Sequence, residues 1–487
     1  MNSIVFESAT AIVKKIKNQE ISCVEVAQQF LKQIESFNPK VNAISDLRKS
    51  EEIIKEAAEK DRQIRAKEPL GLLHGLPITV KDSYHVKGLI SSNGNALLKS
   101  NVVNEDAELI FRLKEAGAII IGKTNIALFA LDWQSTNKWF GQTNNPYNIE
   151  HVVGGSSGGS AASLAAGFSS LELGTDAGGS IRVPAHFCGV CGLRTTESLL
   201  PMRGNMVTPK SLRAGRYLIC NGPMARNIDD LILMMRVLSN SEQKYSENPP
   251  VDIKQYDLQK DASIKVAYSE TIDEVELDSE YKEVYTRFIK TLKNSQLLDV
   301  VEKEPKYDTD QLIGLWGKIA GFDMGVALNK IPFKKMIATL FILNMHKDLQ
   351  WGRAMGKGAG ISPRKYAAAL EEKDAISDKF TEFFKEADVW ITPVSADKAF
   401  KHQKSGKPFL INGKKMPYTK AFIPFNFPST IPGHPILVLP IGLTKSGLPV
   451  GVQVHGQKWN DYKLLQIGKV LETLTAGFKI PDMFDKN

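Results

Sequence analysis

Short apolar runs alternate with helical patterns along most of the chain after Leu70, and this alternation limits the fold more than any other feature. The runs at 76–80 and 118–121 are rich in β-branched residues and are bounded by glycine, as buried strands often are. A helical pattern at 106–116 lies between them. Strands that alternate with helices predict an α/β fold in which helices cover a sheet. Further strand-like runs lie at 389–393, 436–440 and 450–454.

The alternation is absent from the N-terminus and is interrupted once. Residues 8–66 place apolar side chains at helical spacing among charged ones, which predicts an N-terminal helical layer over 1–66. Residues 240–310 are the most polar part of the chain and are predicted to form surface helix and loop. No linker, repeat or low-complexity tract divides the sequence, so we expect a single domain over 1–487.

The basic charge is spread along the chain and is not gathered into a patch. The formal net charge is +8 and the pI is near 9.0, but lysines alternate with acids, for example over 51–67. This distribution is typical of a solvated surface. We therefore expect no nucleic-acid partner.

The cysteine content and the N-terminus both indicate the compartment. Four cysteines in 487 residues are too few for a disulfide framework and favour a reducing environment. Cys188 and Cys191 have redox or zinc spacing, but no second pair and no suitable histidine pair accompanies them, so we expect packing residues, no metal and no cofactor. The N-terminus does not resemble a signal peptide, and no run of 18 apolar residues occurs. The sequence therefore predicts a cytoplasmic protein without a membrane span.

Residues 117–124 match the pattern of a phosphate-binding loop, G-x-x-x-x-G-K-[ST]. Such a loop follows a strand and turns its backbone N–H groups toward phosphate. Here a helical pattern comes first, and Ile119 to Ile121 predict a strand inside the would-be loop. A strand uses its N–H groups in a sheet ladder, so we expect no nucleotide to bind here.

Residues 154–158 match a second pattern, the G-x-S-x-G nucleophile elbow of α/β hydrolases, with Ser156 as nucleophile. The elbow requires a strong strand just before it and a histidine base later in the chain. Residues 144–151 are loop-like, and His434 and His455 are the late histidines. The elbow is therefore the weaker interpretation of this segment.

Residues 154–186 contain two glycine-rich turns, and each presents a serine. Ser156 belongs to the first turn and Ser180 to the second, with a helix and a strand expected between them. Glycine permits tight backbone turns and close approach of a substrate. Consecutive N–H groups of the second turn can point at one place, which is the geometry of an oxyanion hole. The residues of this turn are Ala177, Gly178, Gly179 and Ser180.

Together with their flanking motifs, these turns resemble the amidase signature family. The resemblance begins at Gly-Leu-Pro-Ile-Thr-Val-Lys-Asp, residues 75–82, extends to Leu193, and resumes at 222–226 and 448–453. It implies an α/β amidase signature fold, in which helices cover both faces of a large, twisted, mixed β-sheet. It also implies an amide hydrolase with a catalytic core in 70–235 and a Ser–cis-Ser–Lys triad. The matching triad positions are Ser180, Ser156 and Lys81.

The triad suits amide hydrolysis, which requires an activated nucleophile, a proton relay and a site for the oxyanion. Ser180 would attack the carbonyl, and Ser156 would pass the proton to Lys81. Lys81 is a base only when it is neutral, so its pKa must lie well below about 10.4, as burial would cause. The resemblance also implies a cis peptide bond between Gly155 and Ser156.

Three residues near the triad are expected to support it. Ser157 would hydrogen-bond within the proton relay, while Asp176 and Arg182 would brace the oxyanion turn. A structural salt bridge is the alternative role for Asp176 and Arg182.

The substrate pocket is predicted from two segments. Asp132, Trp133 and Gln134 would approach the acyl pocket, because the matching loop lies beside the active site in relatives. The segment 311–360 is apolar, most strongly at 336–345. The stretch 336–345 is expected to form a buried core helix or, with Trp316 and Phe322 nearby, a lid over a hydrophobic substrate.

Two other functions share these motifs. The A subunit of glutamyl-tRNA(Gln) amidotransferase carries an Asp-Glu-Phe-Ala-Met-like stretch where this chain has 126–134, and a tyrosine-rich segment where it has 362–367. These departures favour a free-standing amidase. A carbamate or ester hydrolase would share the triad and differ only in the leaving group. The expected partner is a small-molecule amide, and a homodimer is left open.

Overall fold

An eight-stranded sheet and a three-stranded sheet organise this protein. The structure, a computed structural model, describes residues 4–205, 217–239, 263–328 and 332–484. The α-helices in these ranges are α1 (Ala9–Lys17), α2 (Cys23–Val41), α3 (Ser50–Arg65), α4 (Glu108–Glu115), α5 (Gly158–Ala165), α6 (Arg182–Phe187), α7 (Ile228–Leu238), α8 (Ser279–Lys293), α9 (Thr309–Ala327), α10 (Lys334–His346), α11 (Leu349–Gly358), α12 (Pro363–Phe383), α13 (Ile423–Thr430) and α14 (Asp461–Glu472).

The strands vary in length from two to eight residues. They are β1 (Ile44–Leu47), β2 (Pro77–Lys81), β3 (Ile119–Thr124), β4 (Thr136–Asn137), β5 (Gly141–Gln142), β6 (Asn144–Asn145), β7 (Asn148–Val152), β8 (Leu171–Asp176), β9 (Cys191–Arg194), β10 (Cys220–Ala225), β11 (Ile264–Tyr268), β12 (Leu298–Glu302), β13 (Val389–Pro393), β14 (Phe409–Ile411), β15 (Lys414–Met416), β16 (Ile436–Leu443) and β17 (Pro449–His455).

The large sheet is mixed and has the order β12-β11-β13-β17-β16-β9-β10-β8. Strand β11 runs parallel to both of its neighbours, and the remaining pairs are antiparallel. The small sheet has the order β1-β3-β2. Strand β2 packs against β8, an edge strand of the large sheet. The strand that ends in Lys81 therefore lies beside the strand that ends in Asp176.

Helices cover both faces of the large sheet. On β9, a Cβ added to Gly192 would lie 3.3 Å from the Cβ of Ala185 in α6. The next residue, Leu193, pairs with Leu437 of β16, and Leu437 approaches Gly468 of α14. Because successive residues of a strand point to opposite faces, α6 and α14 lie on opposite sides of the sheet. The expected α/β fold with a mixed, helix-covered sheet is confirmed.

Most predicted elements are present, but the N-terminal helical layer and the polar segment 240–310 contain strands that the sequence did not predict. The N-terminal layer includes β1, which pairs with β3. The segment 240–310 contributes β11 and β12 to the large sheet as well as surface helix α8, and its residues 240–262 lie outside the described residues. Strands β11 and β12 are short and contain or adjoin charged residues, so their apolar residues do not form a clear strand pattern in the sequence.

The described part of the segment 311–360 forms helix α10, helix α11 and most of α9, and residues 329–331 lie outside the described residues. Glycines let α9 and α11 approach closely: a Cβ at Gly321 would lie 2.5 Å from the main-chain oxygen of Met355, and one at Gly317 would lie 2.5 Å from the Ala354 Cβ. Helix α10 packs on the outer side of α11, and Met336 and Leu340 on it are 54% and 52% exposed. Helix α10 is therefore an outer helix with one buried face and not a buried core helix, and the lid hypothesis stays a prediction.

The four cysteines, all within the described residues, are free and buried. Cys188 and Cys191 lie in the packed interior, as the sequence predicts. No helix in the described ranges combines the length and the apolar content needed to cross a bilayer.

Candidate active site

The end of strand β2 places the amine of Lys81 in the protein interior. Its Nζ lies 2.7 Å from Ser156 Oγ, 2.7 Å from Thr175 Oγ1 and 3.3 Å from Thr175 O. Burial lowers the pKa of Lys81 well below its ordinary value, although the charge of Asp176 acts in the opposite direction. A neutral amine here donates to the two Thr175 oxygens and accepts from the Ser156 hydroxyl, so all three of its hydrogen-bonding sites have partners.

The first glycine turn holds Ser156 against this amine. Ser156 is fully buried, and its peptide bond to Gly155 is cis, as the resemblance implies. A Cβ at Gly155 would lie 2.4 Å from the main-chain oxygen of Asp132. Only glycine permits this approach of the turn to the neighbouring loop.

The second turn lies directly beside the first. The N–H of Ser157 donates to the main-chain oxygen of Ser180 at 3.0 Å, and the Ser157 hydroxyl donates to Thr175 O at 3.3 Å. Ser180 itself is half-buried, whereas Ser156 and Lys81 are fully buried. Of the three predicted triad residues, Ser180 is therefore the most exposed.

The carboxylate of Asp176 fixes the conformation of the second turn. Its Oδ1 accepts hydrogen bonds from the N–H groups of Gly178 at 3.1 Å and Gly179 at 2.9 Å. Two N–H groups of the turn are thus occupied. Those of Ala177 and Ser180 donate to no acceptor in the part of the chain that the structure describes.

A buried ion pair anchors this carboxylate to the large sheet. The guanidinium of Arg182 makes a two-pronged contact with Asp176, with distances of 2.9 and 3.0 Å, and Arg194 Nε lies 3.8 Å away. Burial acts to raise the pKa of Asp176, but the charge and hydrogen bonds of Arg182, with the charge of Arg194, outweigh it and lower the pKa. Asp176 and Arg182 therefore form a salt bridge, and Asp176 also holds the second turn. The two roles considered for this pair do not exclude each other.

Comparisons with known proteins identify the family of this chain. The sequence profile of the Amidase family matches residues 25–465. The protein belongs to the amidase signature family. It is an amide-hydrolysing enzyme.

Two relatives show how far the likeness extends. The A subunit of glutamyl-tRNA(Gln) amidotransferase from Picosynechococcus sp. is 31% identical, covering 94% of this chain and 96% of that protein. Fatty-acid amide hydrolase 2 from Homo sapiens is 29% identical, covering 98% and 90%. A crystal structure of an amidase matches with a TM-score of 0.80 at 26% identity, over 96% of this chain and 100% of that one. The amidase signature fold expected from the sequence is confirmed.

In this amidase signature enzyme, two tryptophans donate to the carbonyls of the second turn. Trp133 Nε1 lies 2.9 Å from Gly178 O, and Trp316 Nε1 lies 3.1 Å from Ala177 O. Trp133 comes from the predicted pocket loop, and Trp316 comes from α9. Two distant parts of the chain therefore meet at the turn.

These two indoles belong to a larger group of rings. Trp133 stacks on Phe422 with centroids 4.8 Å apart, and Trp316 stacks on Phe427 at 5.5 Å. Trp351 of α11 lies 5.7 Å from Trp133 and 5.3 Å from Trp316. We call these five rings the aromatic cluster: Trp133, Trp316, Trp351, Phe422 and Phe427.

The other two predicted pocket residues, Asp132 and Gln134, contact Tyr418. The hydroxyl of Tyr418 donates to Asp132 Oδ1 at 2.7 Å, and Gln134 Nε2 donates to that hydroxyl at 3.3 Å. Burial raises the pKa of Asp132 to about 6, and the hydrogen bonds from Tyr418 and from the Trp133 N–H oppose this change. Of the three predicted residues, Trp133 is the one whose side chain contacts the second turn.

The enzyme uses two contacts that the sequence analysis missed. Thr175 holds the amine of Lys81 with both of its oxygens, and Trp351 joins the aromatic cluster. Thr175 directly precedes Asp176 at the end of a strand, so its position beside the second turn could have been predicted from the sequence, although its contact with Lys81 could not. Trp351 gave no signal, because nothing in its local sequence distinguishes it from a packing residue.

The elbow interpretation lacks its base. A strand is present before the first turn, since 144–152 forms the hairpin β6–β7 and is not the loop that the sequence predicted. However, His455 contacts Ser429 and Thr392, and His434 contacts the main chain of Gly456. The hydroxyl of Ser156 meets Lys81 instead.

The phosphate-loop pattern is also explained by the sheet. Residues 119–124 form β3, which pairs with both β1 and β2. Lys123 Nζ lies 2.7 Å from Asp82, and both side chains are buried. Within the described ranges, no three His, Cys, Asp or Glu side chains are grouped so that they could hold a metal ion.

Proposed function

We propose that this enzyme cleaves a carbon–nitrogen amide bond through an acyl-enzyme on Ser180, with Ser156 as proton relay and Lys81 as general base. The supporting observation is the 2.7 Å contact between the buried Nζ of Lys81 and Ser156 Oγ. A buried amine of lowered pKa is a base at neutral pH, and a serine hydroxyl beside it can pass a proton in either direction.

In the first half of the proposed reaction, Ser180 Oγ forms a bond to the carbonyl carbon of the substrate. Its proton moves to Ser156 while the Ser156 proton moves to Lys81. Negative charge develops on the carbonyl oxygen, and the N–H groups of Ala177 and Ser180 are the turn donors that Asp176 leaves available for it. Gly178 and Gly179 complete the turn, and their role is to let it adopt this shape.

In the second half, Lys81 returns a proton through Ser156 to the leaving nitrogen as the carbon–nitrogen bond breaks. The amine or ammonia departs and the acyl group stays on Ser180 as an ester. Water then attacks the ester carbonyl and gives up its proton by the same route. Release of the acid restores the hydroxyl of Ser180 and the neutral amine of Lys81.

We further propose that the aromatic cluster receives an apolar or aromatic acyl group. Its members Trp133 and Trp316 bond to the two carbonyls of the second turn, so the rings stand next to the reacting serine. Burial of an apolar group against such rings contributes about 25 cal/mol for each Å² removed from water. In an amide series, kcat/KM should therefore rise with the size of the acyl group, and a flat profile would contradict this pocket.

A glutamine-hydrolysing A subunit is the second candidate, because the amidotransferase relative is 31% identical over most of both chains. The aromatic cluster favours an apolar acyl group over the polar end of glutamine. Ammonia release from glutamine, together with co-purifying partner chains, would support the amidotransferase role. Acyl-amide turnover by the isolated chain, without glutaminase activity, would support the free-standing amidase.

A fluorophosphonate probe followed by peptide mapping tests the assignment of the nucleophile. We expect the label on Ser180 in the wild-type enzyme, and no label after Ser180→Ala. Label on Ser156 would instead support the elbow interpretation. Matched amide, ester and carbamate substrates with one acyl group would then show which leaving group the enzyme prefers.

A further inference from the structure

A buried glutamate lies in the same layer as the triad without taking part in the proposed reaction. Glu172 of β8 is fully buried, and its Oε1 is hydrogen-bonded to the hydroxyl of Thr79. Its Oε2 has no hydrogen-bond partner among the described residues. No lysine, arginine or histidine in these ranges lies at ion-pair distance from it.

The hydroxyls around this carboxyl belong to the two elements that carry Lys81 and Ser156. Thr79 is on β2, two residues before Lys81 and on the same side of the strand. Its Oγ1 is also 3.0 Å from the hydroxyl of Ser163 on α5, the helix that begins just after Ser156. Glu172 is thus joined through Thr79 to both elements.

A carboxyl group in such a place is stable only as the neutral acid. Burial of a carboxylate without a cation costs several kcal/mol, so the proton is retained instead. Burial raises the pKa of Glu172 to about 8, and the hydrogen bond from Thr79 opposes the change. Near neutral pH the group is therefore an uncharged hydrogen-bonding link.

We infer that Glu172 is a positioning residue whose neutral acid form ties strand β2 to helix α5 and so holds Lys81 against Ser156. The inference rests on the proposed roles of those two residues. Loss of the Glu172 proton would place a negative charge in this dry layer against Thr79, two residues before Lys81 on β2. There it would favour the ammonium form of Lys81 and so remove the general base. The enzyme should therefore lose activity as Glu172 ionises.

Other titratable groups surround this layer. Those on the neighbouring elements are Lys81 of β2, Tyr84 just after it, Asp176 of β8, Cys220 and Arg226 at the two ends of the β10 region, and Asp229, Asp230 and Arg236 of α7, while α5 has none. Burial and the charge of Glu172 both raise the pKa of Tyr84, so its phenol stays neutral. The group whose charge matters for the reaction is Lys81.

The test compares the pH profiles of wild type and Glu172→Gln, which replaces the neutral acid by a neutral amide of the same size. We expect the ratio of kcat/KM, variant over wild type, to stay within about threefold of unity at pH 7. Above about pH 8, where wild-type Glu172 ionises, the ratio should rise about tenfold per pH unit. The control is Glu197→Gln, another buried glutamate that pairs with Lys373 at 2.8 Å, and its alkaline decline should match that of wild type.

A second measurement separates this inference from the proposed mechanism. The folded pKa of about 8 exceeds the ordinary 4.5, so wild type must lose stability as pH rises between these values, and Glu172→Gln must not. The difference in Tm between the two should therefore widen from pH 5 to pH 8, whatever Lys81 does. If Lys81→Met keeps its activity while the Tm difference appears, the proposed role of Lys81 as general base is wrong. The assignment of Glu172 as a neutral acid would still be supported.

Three outcomes would overturn the inference. One is an unchanged alkaline decline in Glu172→Gln, which would assign the decline to another group. Another is loss of kcat at pH 7, which would mean that the charged carboxylate is needed. The third is failure of Glu172→Gln to fold at pH 6, because a neutral amide should replace a neutral acid there.

Discussion

The two sides of the active site are built in opposite ways. On one side, Lys81, Ser156 and Thr175 form a buried polar network within strands and turns that lie close together in the sheet. On the other, the aromatic cluster gathers rings from a loop and three helices that are far apart in the sequence. In the proposed function, the bond-breaking chemistry depends on the short hydrogen bonds of the first side, and the choice of acyl group depends on the packed apolar surface of the second.

The largest effect is expected on the polar side. Ser180→Ala and Lys81→Met should each lower kcat/KM by about 10⁴-fold or more, because members of such a unit are not replaced by one another. Ser180→Ala should leave Tm unchanged, since this side chain is half-buried. Steady-state kinetics together with thermal melting would measure both, and full activity of either variant would refute the triad.

The anchor of the second turn should show the next largest effect. Asp176→Asn leaves the buried guanidinium of Arg182 without a counter-charge, which should lower the free energy of unfolding by about 3–5 kcal/mol. It should also lower kcat, because the turn donors lose their fixed direction. Urea unfolding and kinetics would test this. Glu197→Gln is the control that breaks another buried pair and should keep kcat per folded molecule.

A smaller effect is expected where the two sides meet. Trp316→Phe keeps an aromatic ring but removes the N–H that donates to Ala177 O, and should lower kcat/KM about fivefold, equivalent to about 1 kcal/mol. Trp351→Phe is a matched control, because the indole N–H of Trp351 has no partner in the described part of the chain. Equal losses in the two variants would show that only ring size matters.

The smallest effect is expected on the outer face of α10. Met336→Gln and Leu340→Gln change exposed side chains that point away from the aromatic cluster. Both variants should keep kcat/KM within about twofold for every acyl length, as exposed substitutions usually have small effects. A loss that grows with acyl length would instead support α10 as a lid.

The difference between the two sides also explains what the sequence could predict. Lys81, Ser156 and Ser180 could be proposed from the sequence because each lies in a short motif that matches the amidase signature family, and their roles stay predictions. Most strands were predictable from their β-branched runs. The position of Thr175 opposite Lys81 follows from packing of β2 against β8, which no local pattern encodes.

Other features could not be predicted from the sequence because they depend on tertiary contacts. Trp351 and Phe427 are ordinary apolar residues until folding places them beside Trp316. The edge strands β11 and β12 are fixed by pairing within the sheet and not by strong local alternation. A cytoplasmic location, a homodimer and the absence of a nucleic-acid partner stay predictions, as does the single domain over 1–487.

Gly317 and Gly321 let α9 pack closely on α11, and this contact affects how substrate preference could change. The backbone of Gly321 touches that of α11, so even one added methyl group must push the two helices apart. Trp316 sits on the same helix and would be carried away from the second turn without any alteration in the reacting groups. If the aromatic cluster binds the acyl group as proposed, a substitution at this remote helix contact would change acyl selectivity and leave the proposed triad of serines and lysine intact.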